Sequence, residues 1–248
     1  MLPVFLTAIG VGGATVVGAL IGFLFRGMSH KISNLIVSFA AGIMLSAAVL
    51  GLILPSIEYG ESWGVAVAVF GIFVGGVCIN LSDRLVPHIQ KIVVGNEKGS
   101  NSAVHGVLLF VIAIGIHNLP EGIAAGVGFG AGDIENAILI AAGIALHNIP
   151  EGMVIIAPML AAGISPKKTF VIALITGFAE VIGTLLGYFA VSVASAILPF
   201  ALAFAGGAML YVISEEMIPE THASEDEKWV TYAFLCGFCA MLVLNYVT

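Results

Sequence analysis

Eight stretches of this chain are apolar over nearly their whole length, at about 4–25, 34–55, 62–82, 105–130, 136–159, 168–191, 197–217 and 228–247. A helix needs about 20 such residues to cross the hydrocarbon core of a bilayer. Lys and Arg sit at or beyond the ends of these stretches, never inside them. With no water in the bilayer core, backbone groups must pair within their own segment, which restricts such stretches to helices. The sequence therefore predicts an all-α integral membrane protein with eight transmembrane helices. Composition agrees: 60% of residues are hydrophobic and 9% charged, against about a quarter charged in a soluble domain.

All eight basic residues follow odd-numbered helices: Arg26 and Lys31, then Arg84, Lys91 and Lys98, then Lys167 and Lys168, then Lys228. By the positive-inside rule those loops are cytoplasmic, and both termini face outward. The opposite loops carry Glu58, Glu61, Asp133 and Glu135, or no charge near 192–198. The acidic loop of Glu220, Glu225, Asp226 and Glu227 does little to this pattern, because acids weigh lightly in the rule. Met1-Leu2-Pro3 lacks the basic start of a cleavable signal, so the first helix is expected to remain. Ser165-Pro166 and Asp133 read as helix starts. The connection at 83–104, with His88, Glu97 and His105, reads as flexible loop. Cys78, Cys236 and Cys239 read as buried packing residues, with metal binding by the Cys236/Cys239 pair the other reading.

Chemistry concentrates in one repeated motif. His117-Asn118-Leu119-Pro120-Glu121-Gly122 recurs as His147-Asn148-Ile149-Pro150-Glu151-Gly152, both copies inside apolar stretches. An ionised carboxylate at the bilayer centre costs roughly 3 kcal/mol on insertion scales, and no basic residue is near in sequence to offset it. A bound cation or protons must supply the counter-charge. Residues three and four apart share a helix face, so His117, Asn118 and Glu121 point into one sector, as do His147, Asn148 and Glu151. Pro120 and Pro150 each disrupt the bond to the carbonyl four residues back, at Ile116 and Leu146. Gly122 and Gly152 should let helices 4 and 5 approach closely. A short loop near 130–135 makes those helices antiparallel neighbours and brings both motifs to similar depth. With Glu180 from helix 6 the result is an N/O cluster without thiolate, suited to zinc, ferrous iron or manganese. Two carboxylates placed to bridge could hold a pair of ions.

Sliding the chain against itself by 165 residues exposes an internal repeat. Phe39–Leu45 falls on Phe204–Leu210, Gly18 and Gly22 on Gly183 and Gly187, and Asn80 on Asn245, while Trp63 and Trp229 match with a one-residue shift. A shift of five helices reverses orientation, so helices 1–3 and 6–8 form an inverted pair around an unpaired insert, helices 4 and 5. Residues 1–248 then form one unit: 1–83, a central 104–160, and 166–248. Inverted repeats mark secondary transporters with midplane sites. The repeat breaks where Thr15 corresponds to Glu180, a carboxylate in one copy only.

The paired His-Asn-x-Pro-Glu-Gly motifs, the Glu180 context and the Glu215-Glu216-Met217-Ile218-Pro219-Glu220 segment of helix 7 resemble the ZIP (Zrt/Irt-like) metal transporters, above all their bacterial type. The resemblance implies uptake of zinc or similar divalent ions, including iron, manganese or cadmium, into the cytoplasm through a 3+2+3 helix arrangement in the cell membrane, often as a dimer. It implies one ion held by His117, Glu121, His147 and Glu151 and a second by Asn118, Glu121, Asn148, Glu151 and Glu180. The metal is cargo, and no prosthetic group is expected.

Alternating access, with one repeat bundle moving against fixed helices, is the expected mechanism, and acid should compete with metal for the same ligands. A passive metal channel is the alternative. An intramembrane metalloprotease fits less well, because its HExxH signature needs histidines four apart and position five here is Glu. No Walker-type loop supports nucleotide binding and no basic patch supports nucleic acid. Met44 and Met209, repeat mates, read as packing. Glu215 and Glu216 read either as receivers of a departing ion or as interfacial acids, and His30 and His222 as solvated loop residues.

Overall fold

The computed structural model describes residues 1–25, 29–94, 102–132, 134–222 and 227–247. These form eight long helices and, among the described residues, no strand. They are α1 (Leu2–Leu24), α2 (His30–Ser46, continued through a π-helical turn at Ala47–Ile53 into Leu54–Tyr59), α3 (Gly64–Val94), α4 (Ser102–Ala131), α5 (Ile134–Ala161), α6 (Pro166–Val193), α7 (Leu198–Val212, then a π-helical turn at Ile213–Met217 and Ile218–His222) and α8 (Glu227–Val247). Among the described residues, α1–α3 and α5–α8 each contain a span long and apolar enough to cross a membrane. The register of α4 against α6 carries it through the same thickness: Gly122, Gly126 and Gly130 meet the backbone at Glu180, Thr184 and Tyr188, a constant offset that also makes the two helices parallel.

Local chemistry sets several boundaries. Ser165 accepts from the Lys168 amide at 3.5 Å with Pro166 opening α6, and Ser29 accepts from the Ile32 amide at 3.4 Å at the start of α2. Each supplies an acceptor for a donor that the first turn leaves unpaired. The expected loop at 83–104 is shorter than the sequence predicts, because α3 runs on to Val94 and α4 begins at Ser102, so His88 and His105 lie on helices. Arg26, Glu97, Lys98, Asp133, Glu225 and Asp226 lie outside the described residues. The cysteines also depart from expectation. Cys78, Cys236 and Cys239 are not buried: they are free thiols on the exposed faces of α3 and α8, beside lipid-facing side chains such as Phe73, Val77 and Leu235. Helices on the rim of a bundle bury only one face, and sequence alone gives no phase for it.

Glycine decides which helices touch. A methyl group on Gly122 would run into the carbonyl of Glu180 on α6, and one on Gly152 into that of Thr15 on α1. These glycines seat α4 on α6 and α5 on α1, rather than α4 on α5 as the motif suggested. The contacts come in symmetric pairs. Gly183 faces the Leu119 carbonyl as Gly18 faces that of Ile149, and Gly12 and Gly177 face each other's carbonyls. The operation that relates α1 to α6 therefore also exchanges α4 with α5, which the sequence leaves without repeat partners. The same symmetry pairs α2 with α8 (Gly42 on Phe234, Gly237 on Phe39) and α3 with α7 (Gly75 on Phe204, Gly207 on Ile72). Small residues let backbones approach where hydrophobic burial gives no drive, as in lipid. Two close-packed bodies result, α1/α4/α5/α6 and α2/α3/α7/α8. Between them pack bulkier side chains, among them Met44, Ile140, Ile144, Leu202 and Met209.

Candidate metal site

The site is built on the antiparallel pair α4 and α5 at the depth of the two prolines, each inside a continuous helix. Six of the seven predicted site residues are buried: His117, Asn118, Glu121, His147, Asn148 and Glu180. Glu151 is half-buried. Glu121, His147 and Glu151 each offer one ligand atom, and these atoms lie within 4.8 Å of one another.

His147 carries the most telling geometry. Its Nδ1 lies 3.1 Å from the Gly143 carbonyl, which can only accept, so Nδ1 bears the proton. Nε2 then presents a lone pair to Glu121 Oε2, 3.1 Å away. Two lone pairs at that distance require a proton or a cation between them. An imidazole whose other nitrogen donates to a backbone carbonyl is the usual arrangement of a metal-ligating histidine. Two ligands on one tetrahedral zinc stand about 3.4 Å apart, given bonds of about 2.1 Å, so the pair needs little rearrangement to share an ion.

The remaining predicted residues divide between two neighbouring groups. His117 Nε2 stands 3.3 Å from Glu216 Oε1, so α7 brings to the site a carboxylate that the sequence leaves open as an ion receiver or an interfacial acid. Glu180 receives Thr15 Oγ1 at 2.7 Å, Asn118 Nδ2 at 2.7 Å and Asn148 Nδ2 at 2.5 Å. The Thr15–Glu180 contact joins residues 165 apart, the offset of the repeat. Met44 and Met209 are buried against the apolar core, and both also border the site beside His117 and Glu121.

A cavity of about 60 Å³ leads away from the site, lined by Val37, Ile114, His117, Val154, Glu216 and Met217 along with Glu121 and Glu151. These positions lie toward the helix ends that carry the basic loops. On the other side the path is closed by buried Ala48, Leu52, Ile140, Ile144, Leu202 and Met209, which pack as one cluster. The arrangement can hold a divalent cation between two carboxylates and an imidazole and expose it to one face alone.

Comparison with known proteins agrees. A family model described as ZIP zinc transporter matches residues 90–245. The chain is 39% identical over 241 residues to the zinc transporter GufA of Myxococcus xanthus, covering 94% of each chain. It is 34% identical over 248 residues to the zinc transporter ZupT of Chlorobaculum parvum, covering 94% of this chain and 92% of the relative. It is 32% identical over 313 residues to the zinc transporter ZIP11 of Xenopus tropicalis, covering 94% and 93%. With a motif pair, a buried ligand cluster and relatives matched along nearly their whole length, the chain belongs to the ZIP zinc transporter family.

Proposed function

We propose that this protein carries zinc, and with it related divalent ions, across the cell membrane into the cytoplasm by alternating access at the α4–α5 site. The observation that carries the reading is the Glu121–His147–Glu151 cluster, in which an imidazole and two carboxylates inside lipid converge within reach of a single cation. The ion binds first between Glu121, His147 and Glu151. His117 and Glu216 flank it on the cavity side, and the Asn118 and Asn148 side chains, backed by Glu180, border it on the other, where a second ion would sit against the shared carboxylates in the reading under which two ions are held together. The positive-inside rule makes the cavity face cytoplasmic, so the closed cluster of Leu52, Ile140 and Leu202 faces outward and the protein is poised for release.

Tight packing follows neither sequence repeat. It holds α1, α4, α5 and α6 as one body and α2, α3, α7 and α8 as the other. The site side chains, apart from Glu216, ride on the first body, and the moving surface is the bulkier apolar interface between the two. A saturable, counterflow-stimulated flux is expected of such a carrier and not of a passive channel. The test is zinc uptake into proteoliposomes. Glu121→Ala and Glu151→Ala should each lower uptake by about 100-fold or more, since even partners one shell out from a metal are worth about 10–100-fold. Uptake that survives both changes overturns the reading.

A further inference from the structure

The two asparagines of the repeated motif are held in matching cradles. Asn118 Nδ2 donates to Glu180 Oε1 at 2.7 Å and to the Thr176 carbonyl at 3.3 Å. Asn148 Nδ2 donates to Glu180 Oε2 at 2.5 Å and to the Val11 carbonyl at 3.2 Å. Val11 and Thr176 are 165 residues apart, so the repeat symmetry turns one cradle into the other. A backbone carbonyl only accepts and an amide nitrogen only donates, so these two main-chain groups decide which end of each amide meets Glu180. The amide oxygens are thereby forced to the other edge. Both Oδ1 atoms are buried and have no hydrogen-bond partner among the described residues, a costly state for an acceptor. Helical spacing puts Asn118 on the face of Glu121 and Asn148 on the face of Glu151.

One carboxylate serves both amides, and the hydroxyl of its repeat mate Thr15 donates to Oε1 at 2.7 Å and helps to hold its rotation. A second carboxylate at position 15 would bring two like charges together, which accounts for the broken repeat. We propose that Thr15 is a positioning residue: by holding Glu180 it keeps the Asn118 and Asn148 amides in place, in the orientation the main-chain carbonyls select, with both side-chain oxygens turned toward the transported ion. This rests on the reading of Glu121, His147 and Glu151 as the ion site. Two neutral oxygens added to one imidazole and two carboxylates favour a harder ion, such as manganese, more than they favour zinc. Thr15 therefore bears on ion choice as well as on affinity.

The test uses the full chain in proteoliposomes, with zinc uptake measured against manganese as competitor. Thr15→Val should raise the inhibition constant of manganese about tenfold while raising the KM for zinc about threefold or less, and Thr15→Ser should restore both. Equal losses for the two ions, no rescue by serine, or a wild-type protein on which manganese does not compete would each overturn the proposal. Should the valine variant not fold, the wild-type protein carrying ¹³C-amide asparagine decides by infrared difference. Zinc should shift an asparagine carbonyl band, and an unshifted band overturns the proposal. Glu121→Ala separates the two claims. Undiminished uptake in that variant removes the ion site itself, whereas a dead Glu121→Ala beside an unchanged manganese-to-zinc ratio in Thr15→Val removes only the role of Thr15.

Discussion

At the scale of single residues, the site works by leaving charge unmatched. His147 Nδ1 donates to the Gly143 carbonyl, which leaves Nε2 facing a carboxylate oxygen. Replacing His147 by Gln keeps an acceptor but removes the imidazole, and zinc affinity should fall about 10–100-fold, as read by competition with a zinc dye on the purified protein. Glu216 asks for a different measurement. It stands 3.3 Å from His117 and lines the cavity, which under the proposed carrier reading puts it on the exit rather than at the resting site. Glu216→Ala should leave zinc affinity within about twofold and slow steady-state uptake about tenfold, a kcat effect with little change in KM. The motif residues were legible in the sequence because spacing alone places His, Asn and Glu on one face. Glu216 was legible only as one of two acids near a helix end, open to receiving a departing ion or to facing water. Its approach to His117 depends on the π-helical turn that holds it, and that turn leaves no periodic signal.

At the scale of elements, the departures from regular helix are paired. π-Helical turns occupy Ala47–Ile53 in α2 and Ile213–Met217 in α7, positions that coincide under the 165-residue offset. Each is followed within two residues by a proline, Pro55 or Pro219, whose missing donor loosens the preceding turn. A π turn inserts one extra residue per turn and re-aims the side chains beyond it. In α7 that stretch contains Glu215 and Glu216, whereas α2 has Leu50 and Gly51, so the same distortion carries carboxylates in one copy only. The repeat itself could be read from Phe39–Leu45 and Phe204–Leu210, yet the partner of each glycine could not. Gly122 was expected to face α5 and faces α6, because a small residue marks a close approach without saying to which neighbour. Gly207 tests the packing argument, since a Cβ there would strike the backbone of Ile72. Gly207→Ala should destabilise the protein by about 1–3 kcal/mol, as overpacking does, seen as a lower midpoint in size-exclusion thermal profiles.

At the scale of the whole molecule, the eight-helix plan followed from hydropathy and its inverted repeat from the 165-residue offset, but the partition on which the proposed carrier depends cuts across the repeats. Sequence order groups helices 1–3 and 6–8, while glycine contacts group α1/α4/α5/α6 and α2/α3/α7/α8, and only three-dimensional packing reveals the second grouping. If the ion travels with the first body, then fastening the two bodies together must stop transport without touching the ligands. Ala47 on α2 and Gly143 on α5 offer the fastening point. A Cβ at position 143 would lie 3.6 Å from that of Ala47, a separation that suits a disulfide. Only the flexible end of Met241 crowds that position. In a background with Cys78, Cys236 and Cys239 replaced by Ser, oxidised Ala47→Cys/Gly143→Cys should lose about nine-tenths of zinc uptake, regain it with reductant, and bind zinc in both states. Each single cysteine should transport normally under both conditions. Full uptake by the oxidised double variant would mean that ions pass without relative motion of the two bodies, and a pore through a static structure would have to replace the carrier.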